Sequence, residues 1–173
     1  MPIKIVIDSS SDISKEEAVQ LGIEVIPMIV SFDKDEYYDG VDLTPKEFYE
    51  KLIESDVLPK TSQITPFRYM EVYERLVKEG YDVIVITLSS KLSNTYSSAV
   101  LDSHEFEGKV KVVDSLNAAI GERLLCQLAL KLVEDGLSFD EIVEYIRTNA
   151  KPNDIVITLG AGTVTKLGPM IVE

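Results

Sequence analysis

VIVITLSSKLSNTYSSA, residues 83–99, is the stretch that decides the fold. Its first six residues are aliphatic or β-branched without interruption, which is typical of a strand buried on both faces of a parallel sheet. A helical pattern follows at about residues 92–103. The junction is rich in polar groups, namely Thr87, Ser89, Ser90, Ser93, Asn94 and Thr95, and residues 89–98 alone hold five serines and one threonine. One helix cap does not need that many hydroxyls, so the junction is a candidate binding site.

The same alternation of strand and helix patterns runs outward in both directions. Strands are predicted at 3–7, in two pieces around Pro27 at 23–32, at 110–113 and at 155–159. Five further helices are predicted. The first begins after Ser14, which forms a capping box with Glu17, and ends at Gly22; the second begins at Thr44-Pro45; and the third runs from Thr65-Pro66 to Gly80. The fourth covers residues 116–134, and the fifth begins at Ser138, capped with Glu141, and ends at about residue 147. This order predicts an α/β fold, mainly a parallel sheet with helices on both faces.

Composition and charge argue against several classes of function. The 173 residues carry a net charge of −13, which repels nucleic acid, so no nucleic-acid partner is expected. The N-terminal apolar run ends at Asp8 and no run approaches the ~18 residues that span a bilayer, so neither a signal peptide nor stable membrane insertion is expected. Cys126 is the single cysteine, lies in the apolar pattern LLCQLAL, and fits the core of a cytoplasmic protein.

Hydroxyl-rich loops follow two further predicted strands. The loop after the strand at 3–7 contains Asp8, followed by Ser9, Ser10 and Ser11. The loop after the strand at 110–113 contains Asp114, Ser115 and Asn117. Carboxyl ends of parallel strands lie along one edge of a sheet, where ligands bind. The segment Lys60-Thr61-Ser62-Gln63 can reach that edge, and helix N-termini there add N–H groups that hold a carboxylate or phosphate without arginine. The same residue types also favour turns and caps, and that purely structural interpretation stays open.

Catalytic machinery has few parts in this sequence. His104 is the single histidine and lies in the charged stretch DSHEFEG, which favours a solvated position. With one histidine and one cysteine, the sequence lacks residues for a Ser-His or Cys-His catalytic site and for a zinc site, and no metal site is expected. Gly160-Ala-Gly162 lacks the GxGxxG and Walker spacings. A nucleotide- or phosphate-linked enzyme using that turn and the serine loops is one alternative function, and a domain without any ligand is another.

Four segments resemble one protein family in order along the chain: IVIDSSSDI (5–13), PKTSQITP (59–66), ITLSSKLSNTYSSA (86–99) and VVDSLNAAIG (112–121). Together they resemble the DegV family of bacterial fatty-acid binding proteins. The resemblance implies a DegV-like N-terminal α/β domain at 1–147 that binds a long-chain fatty acid such as palmitate, with the tail in an apolar tunnel. It implies that Thr61 and Ser93 hold the carboxylate with help from Ser62 and Asn94, although the family commonly has glycine at position 94. The residues expected to lie behind these groups are Asp8, Ser9, Ser10, Asp114 and Ser115.

The resemblance also implies a carrier rather than an enzyme. Members of the family can act as the acyl-carrying subunit of fatty-acid kinase, in which a separate kinase phosphorylates the carried carboxylate. This chain would then contribute no catalytic residue and no cofactor, and its partners would be the fatty acid and a fatty-acid kinase subunit.

Residues 148–173 depart from the family pattern. Family members run longer, with a second α/β domain that closes the tunnel and supplies a histidine near the carboxylate, and that domain is expected to be missing here. Residues 151–173 resemble the C-terminal end of UDP-N-acetylmuramate–L-alanine ligase, whereas a competing alignment puts Thr158 in place of the histidine of the family's terminal strand. We expect an atypical strand-turn-helix tail at 148–173, with a homodimer or the tail itself covering exposed apolar surface.

Overall fold

A computed structural model describes residues 2–106 and 108–149, which form both strands and helices. In chain order the strands are β1 (Ile3–Asp8), β2 (Glu24–Ile26), β3 (Ile29–Phe32), β4 (Asp35–Tyr38), β5 (Lys60–Ser62), β6 (Asp82–Thr87) and β7 (Val110–Asp114). The helices are α1 (Lys15–Leu21), α2 (Pro45–Glu54), α3 (Pro66–Lys78), α4 (Thr95–Leu101), α5 (Ile120–Glu134) and α6 (Phe139–Asn149), with short 3-10 turns at Ser9–Ser11 and Ser103–Phe106.

A parallel sheet in the order β2-β1-β6-β7 forms the centre of the described residues. In register, Ile7 of β1 lies beside Ile86 of β6, and Val85 of β6 lies beside Val112 of β7. Residues 83–86 are fully buried, because both faces of β6 are covered. The prediction of a strand buried on both faces is therefore confirmed.

Helices cover both faces of this sheet, as predicted. On one face, the isoleucines of β1 and β6 pack with Cys126 of α5 and Ile142 of α6. On the other face, valines of the same strands pack with Tyr69 and Tyr73 of α3 and Ala99 of α4. The Tyr73 hydroxyl donates to the Ala99 carbonyl at 2.9 Å and joins the two helices of that face. The strands thus have a helical layer on each side, which leaves the sheet edge at their carboxyl ends as the open surface.

A second, antiparallel sheet in the order β4-β3-β5 was not predicted. The segment before β4 turns at Asp33, whose φ is +54°, and β4 reads DEYY, a polar stretch that resembles a solvated loop. β5 is exposed at all three positions and pairs with β3, with Thr61 opposite Val30. Both strands lack an apolar run, so their pairing depends on β3, whose Val30 and Phe32 pack with Leu43.

Helix caps follow the predicted residues. Thr44 and Glu47 form a reciprocal capping box at α2, and Ser138 and Glu141 form another at α6. At α1 the Ser14 hydroxyl accepts from the Glu17 N–H at 3.2 Å, but the Glu17 carboxylate pairs with Arg123 instead of completing the box.

Two predicted helices begin later than expected. α4 begins at Thr95 instead of 92, and α5 begins at Ile120 instead of 116. The cause at α5 is the backbone, since Leu116 and Ala119 have φ values of +52° and +50°, outside the right-handed helical region. The predicted strand at 155–159, the Gly160-Ala-Gly162 turn and all but the first two residues of the predicted tail at 148–173 lie outside the described residues.

Candidate functional site

The three predicted polar loops meet at the carboxyl ends of β1, β6 and β7. The Leu88 N–H, directly after β6, donates to Asp8 Oδ2 at 2.8 Å. The Ser89 N–H donates to the Asn117 carbonyl at 2.9 Å, and the Ala119 N–H donates to the Ser10 carbonyl at 3.0 Å. Each loop is therefore fixed to another loop, and the prediction that they share one edge of the sheet is confirmed.

Asp8 is the anchor of this edge. Its side chain is 1% exposed, and besides the Leu88 N–H it accepts from the Ser10 N–H at 3.0 Å. Ser10 Oγ lies 2.5 Å from Asp8 Oδ1, the oxygen that also accepts from the Ser10 N–H. Burial raises the pKa of Asp8, and the hydrogen bonds from Ser10 and Leu88 oppose that rise. Asp8 thus has an internal, loop-holding role.

The other residues expected to lie behind the carboxylate also bind within the protein. Asp114 Oδ1 accepts from the Ser90 and Leu116 N–H groups at 3.0 Å each. The Ser115 hydroxyl oxygen accepts from the Asn117 N–H at 3.0 Å, and the Ser9 hydroxyl oxygen accepts from the Met28 N–H at 3.1 Å. These hydrogen bonds shape the loops around the edge, as the turn-and-cap interpretation predicts for these residues.

The four predicted carboxylate-binding residues lie on two different elements. Thr61 and Ser62 are exposed on β5, while Ser93 is half-buried and Asn94 exposed just before α4. Ser93 Oγ accepts from the Thr95 N–H at 3.2 Å and lies 2.9 Å from the Thr95 hydroxyl. Asn94 occupies the N-cap position of α4 without a side-chain cap hydrogen bond.

A hydrogen bond between side chains near these residues links β5 to α4. Gln63 Nε2, two residues after Thr61, donates to Ser98 Oγ of α4 at 3.4 Å. The end of β5 and the first turn of α4 are therefore adjacent.

Exposed apolar side chains accompany the polar loops. Phe67 is the second residue of α3 and is 68% exposed, and Leu92 lies in the loop that carries Ser93. Leu116 and Ile120 flank the start of α5 and are also exposed. Large apolar groups beside exposed hydroxyls give this edge the mixed chemistry that an amphipathic ligand requires.

A groove of about 550 Å³ lies elsewhere, between α1, β2 and the segment 39–45. Its walls include Asp12, Val19, Val25, Val41 and Pro45. Thr61, Ser62, Ser93 and Asn94 are absent from its lining, so this groove is separate from the predicted carboxylate residues.

Glu122 is a buried charged residue that the sequence analysis missed. It lies on the first turn of α5, is 0% exposed, and its Oε2 is 2.7 Å from Ser10 Oγ. Burial, and then the nearby Asp8, raise the pKa of Glu122 to about 10. A signal was present in the sequence, because Glu122 stands four residues before Cys126 and so falls on the apolar face of the helix. Its other oxygen, Oε1, has no hydrogen-bond partner among the described residues.

Three further features of the described residues concern metal binding, membrane crossing and the single cysteine. Residues 2–106 and 108–149 contain no group of three or more His, Cys, Asp or Glu side chains arranged to hold a metal ion. In the same residues, no helix combines the length and the apolar character needed to cross a bilayer. Cys126 is fully buried, and burial raises the pKa of its thiol to about 12, as expected for a core cysteine.

Known proteins are similar to this chain in sequence and fold. Residues 2–161 match the family model described as "Uncharacterised protein, DegV family". A DegV domain-containing protein of Clostridium perfringens is 40% identical over 148 residues, which cover 83% of this chain and 53% of the relative. A solved DegV lipid binding protein of Thermotoga maritima is 34% identical with a TM-score of 0.80, over 89% of this chain and 56% of that one. A Thermus thermophilus DegV family protein, described for its fatty acid binding, is 35% identical with a TM-score of 0.75, over 86% and 54%.

These matches also allow the length of this chain to be compared with that of its relatives. The chain spans about half the length of the curated relatives it matches. The family match reaches residue 161 and so overlaps the segment predicted to resemble a ligase, and that second resemblance stays a prediction.

Proposed function

The chain belongs to the DegV family, and on that premise we propose that it binds a long-chain fatty acid whose carboxylate sits at the sheet edge between β5 and α4. The observation that carries the proposal is the Gln63–Ser98 hydrogen bond, which brings β5, with its exposed Thr61 and Ser62, beside α4. Exposed apolar side chains such as Phe67 and Leu92 lie in the segments next to these two elements. The solved relatives from Thermotoga maritima and Thermus thermophilus, described as lipid binding and fatty acid binding, support it.

Thr61 and Ser93 are the proposed carboxylate donors, with Ser62 and Asn94 beside them. The Gln63–Ser98 hydrogen bond supports this assignment, because it brings the strand of Thr61 against the helix that Ser93 precedes. The hydroxyl oxygen of Ser93 can accept from both the N–H and the hydroxyl of Thr95, which leaves the Ser93 hydrogen for a ligand. The side-chain amide of Asn94 makes no cap hydrogen bond and offers two further donors.

Neutral donors suit an anionic ligand on this strongly acidic chain. With a net charge of −13, long-range attraction does not favour a carboxylate, so locally aimed hydrogen bonds must hold it. Each hydroxyl-to-carboxylate bond contributes about 1.5–3 kcal/mol, whereas burial of the tail contributes about 0.8 kcal/mol per CH₂ before costs. The tail therefore supplies most of the affinity, and the hydroxyls fix which end of the ligand reaches the edge.

Three finer assignments are predictions from the family resemblance: palmitate as the acyl chain, a carrier role without catalysis, and a fatty-acid kinase subunit as the partner. A homodimer is a prediction from the apolar surface that a missing second domain would leave exposed. The nucleotide- or phosphate-linked alternative depends on Gly160-Ala-Gly162, which lies outside the described residues.

Extraction of lipid from the purified chain tests the proposal. The full chain is purified without detergent and denatured in organic solvent, and the extract is analysed by mass spectrometry. We expect saturated and monounsaturated long-chain fatty acids in near-stoichiometric amount. A delipidated sample should take up added palmitate and leave added palmityl alcohol mostly unbound, because the alcohol lacks the charged group that the hydroxyls hold. An empty extract together with no uptake of palmitate would overturn the proposal.

A further inference from the structure

Ser10 lies between two buried carboxyl groups that are far apart in sequence. Its Oγ is 2.5 Å from Asp8 Oδ1 and 2.7 Å from Glu122 Oε2. A serine hydroxyl carries a single hydrogen, so it can donate to only one of these oxygens. The second short contact needs another hydrogen between the two oxygens, and the only source is a protonated carboxyl group.

The surroundings of the two carboxyl groups decide which one carries that proton. Asp8 accepts from the N–H groups of Ser10 and Leu88, and such donors stabilise an ionised carboxylate. Glu122 has Ser10 as the hydrogen-bond partner of Oε2 and none for Oε1 within the described residues. A neutral acid tolerates that poor environment far better than an ion does.

We propose that Glu122 is a neutral acid that donates a hydrogen bond to Ser10, and that Ser10 in turn donates to an ionised Asp8. These linked hydrogen bonds position the loop carrying Ser93 and Asn94. Asp8 reaches that loop through the Leu88 N–H, and Ser10 holds the start of α5 through the Ala119 N–H. Glu122, Ser10 and Asp8 therefore connect α5, the turn after β1 and the loop after β6. The effect on ligand affinity rests on the proposed function, whereas the protonation of Glu122 does not.

The charged and titratable groups around Glu122 are consistent with a neutral acid. Asp8 and Asp12 are both acidic, Tyr69 of α3 is buried nearby, and the Cys126 thiol follows one turn later on α5. Arg123, the cation next to Glu122 on the same helix, pairs with Glu17 and donates to the Asp12 carbonyl. The side chains that β6 and α6 bury in this part of the core are aliphatic: Ile84, Ile86, Ile142, Val143 and Ile146.

Infrared spectroscopy of the full chain detects the proton directly. At neutral pH the wild-type chain should show one C=O stretch of a protonated carboxyl group, at higher frequency than the carboxylate bands and shifted in D₂O. Glu122→Gln should remove this band, whereas the matched exposed variant Glu16→Gln should keep it. Absence of the band in the wild-type chain, or its persistence in Glu122→Gln, would overturn the proposal without reference to any ligand.

Hydrogen exchange at the Leu88 amide tests the positioning role. Glu122→Gln keeps a neutral donor for Ser10, so Leu88 exchange should stay within about threefold of wild type, while Glu122→Leu removes the donor and should speed it at least about tenfold. The Kd for palmitate should follow the same order, rising at least about tenfold in Glu122→Leu and recovering in Glu122→Gln. Equal exchange rates in the two variants would refute positioning. If the wild-type chain binds no palmitate, the proposed function fails, while the infrared band and the Leu88 exchange rate still decide this inference.

Discussion

The Leu88 N–H donates to Asp8 Oδ2 at 2.8 Å, a buried hydrogen bond that joins two loops eighty residues apart. It ties the end of β1 to the start of the loop that carries Ser93. The precision of the sheet edge therefore depends on a carboxylate that faces the protein rather than a ligand.

Asp8→Asn should destabilise the fold, because an amide group presents N–H donors where the carboxylate accepts from Ser10 and Leu88. We expect the free energy of unfolding to fall by about 1–3 kcal/mol, measured by urea denaturation. Asp56→Asn is the matched control, since Asp56 is exposed, and it should change stability by less than about 0.5 kcal/mol. An Asp8→Asn chain as stable as the control would show that these hydrogen bonds contribute little.

The stability of the wild-type chain should fall as pH rises through the neutral range. Burial raises the pKa of Glu122 in the folded state to about 10, from 4.5 for an ordinary glutamate. Between these values the folded chain keeps a proton that the unfolded chain has released, so unfolding becomes easier as pH increases. Glu122→Gln lacks this linkage, and its stability advantage should grow between about pH 5 and about pH 9, by at most about 1.4 kcal/mol per pH unit. Urea denaturation across this range measures it, and parallel pH profiles for the two chains would contradict the burial of a neutral acid.

Ala119→Gly should stabilise the chain. Ala119 has φ +50° and ψ −122°, a conformation that costs a residue with a Cβ about 1–3 kcal/mol, whereas the added freedom of glycine in the unfolded chain costs about 0.4–1 kcal/mol. We expect a net gain of about 1 kcal/mol, seen as a higher thermal midpoint. The neighbouring Ala118→Gly is the control, because Ala118 is not among the described residues with positive φ, and it should destabilise. A loss of stability in Ala119→Gly would mean that the alanine side chain makes contacts worth more than the strain.

Cys126 should be unreactive in the folded chain. Burial raises the pKa of its thiol to about 12, and the side chain is fully buried, so little thiolate is present and reagents cannot reach it. Labelling with a disulfide reagent at about pH 8 should proceed only after unfolding in urea. Rapid stoichiometric labelling under native conditions would show that the core formed by α5 and α6 opens easily.

The central sheet could be predicted because its signal is local. The apolar runs of β1, β6 and β7 and the capping residues Thr44 and Ser138 each specify structure within a few positions. The antiparallel sheet could not, because β4 and β5 are polar and gain their partner only through β3. Glu122 was missed for a similar reason. A single acid at the start of an apolar helix suggests a solvated first turn, and only the fold places the Ser10 hydroxyl beside the Glu122 carboxyl group.

The candidate site was predictable in composition but not in the role of each residue. The serines and aspartates after β1, β6 and β7 do meet at one edge. Asp8, Ser9 and Asp114, however, accept hydrogen bonds from neighbouring segments, and Ser115 accepts one within its own loop. Sequence alone does not separate such loop-holding groups from groups that remain available to a ligand, because both are short polar residues in turns.

Titration of the delipidated full chain with palmitate most directly tests whether neutral hydroxyls at the β5–α4 edge hold a carboxylate. Thr61→Ala and Ser93→Ala should each raise the Kd by roughly 10- to 100-fold, the loss of one charge-assisted hydrogen bond of about 1.5–3 kcal/mol. Ser97→Ala, at an exposed serine of α4, should leave the Kd within about twofold. Identical affinities in the wild-type chain and in the Thr61→Ala and Ser93→Ala variants would contradict the account.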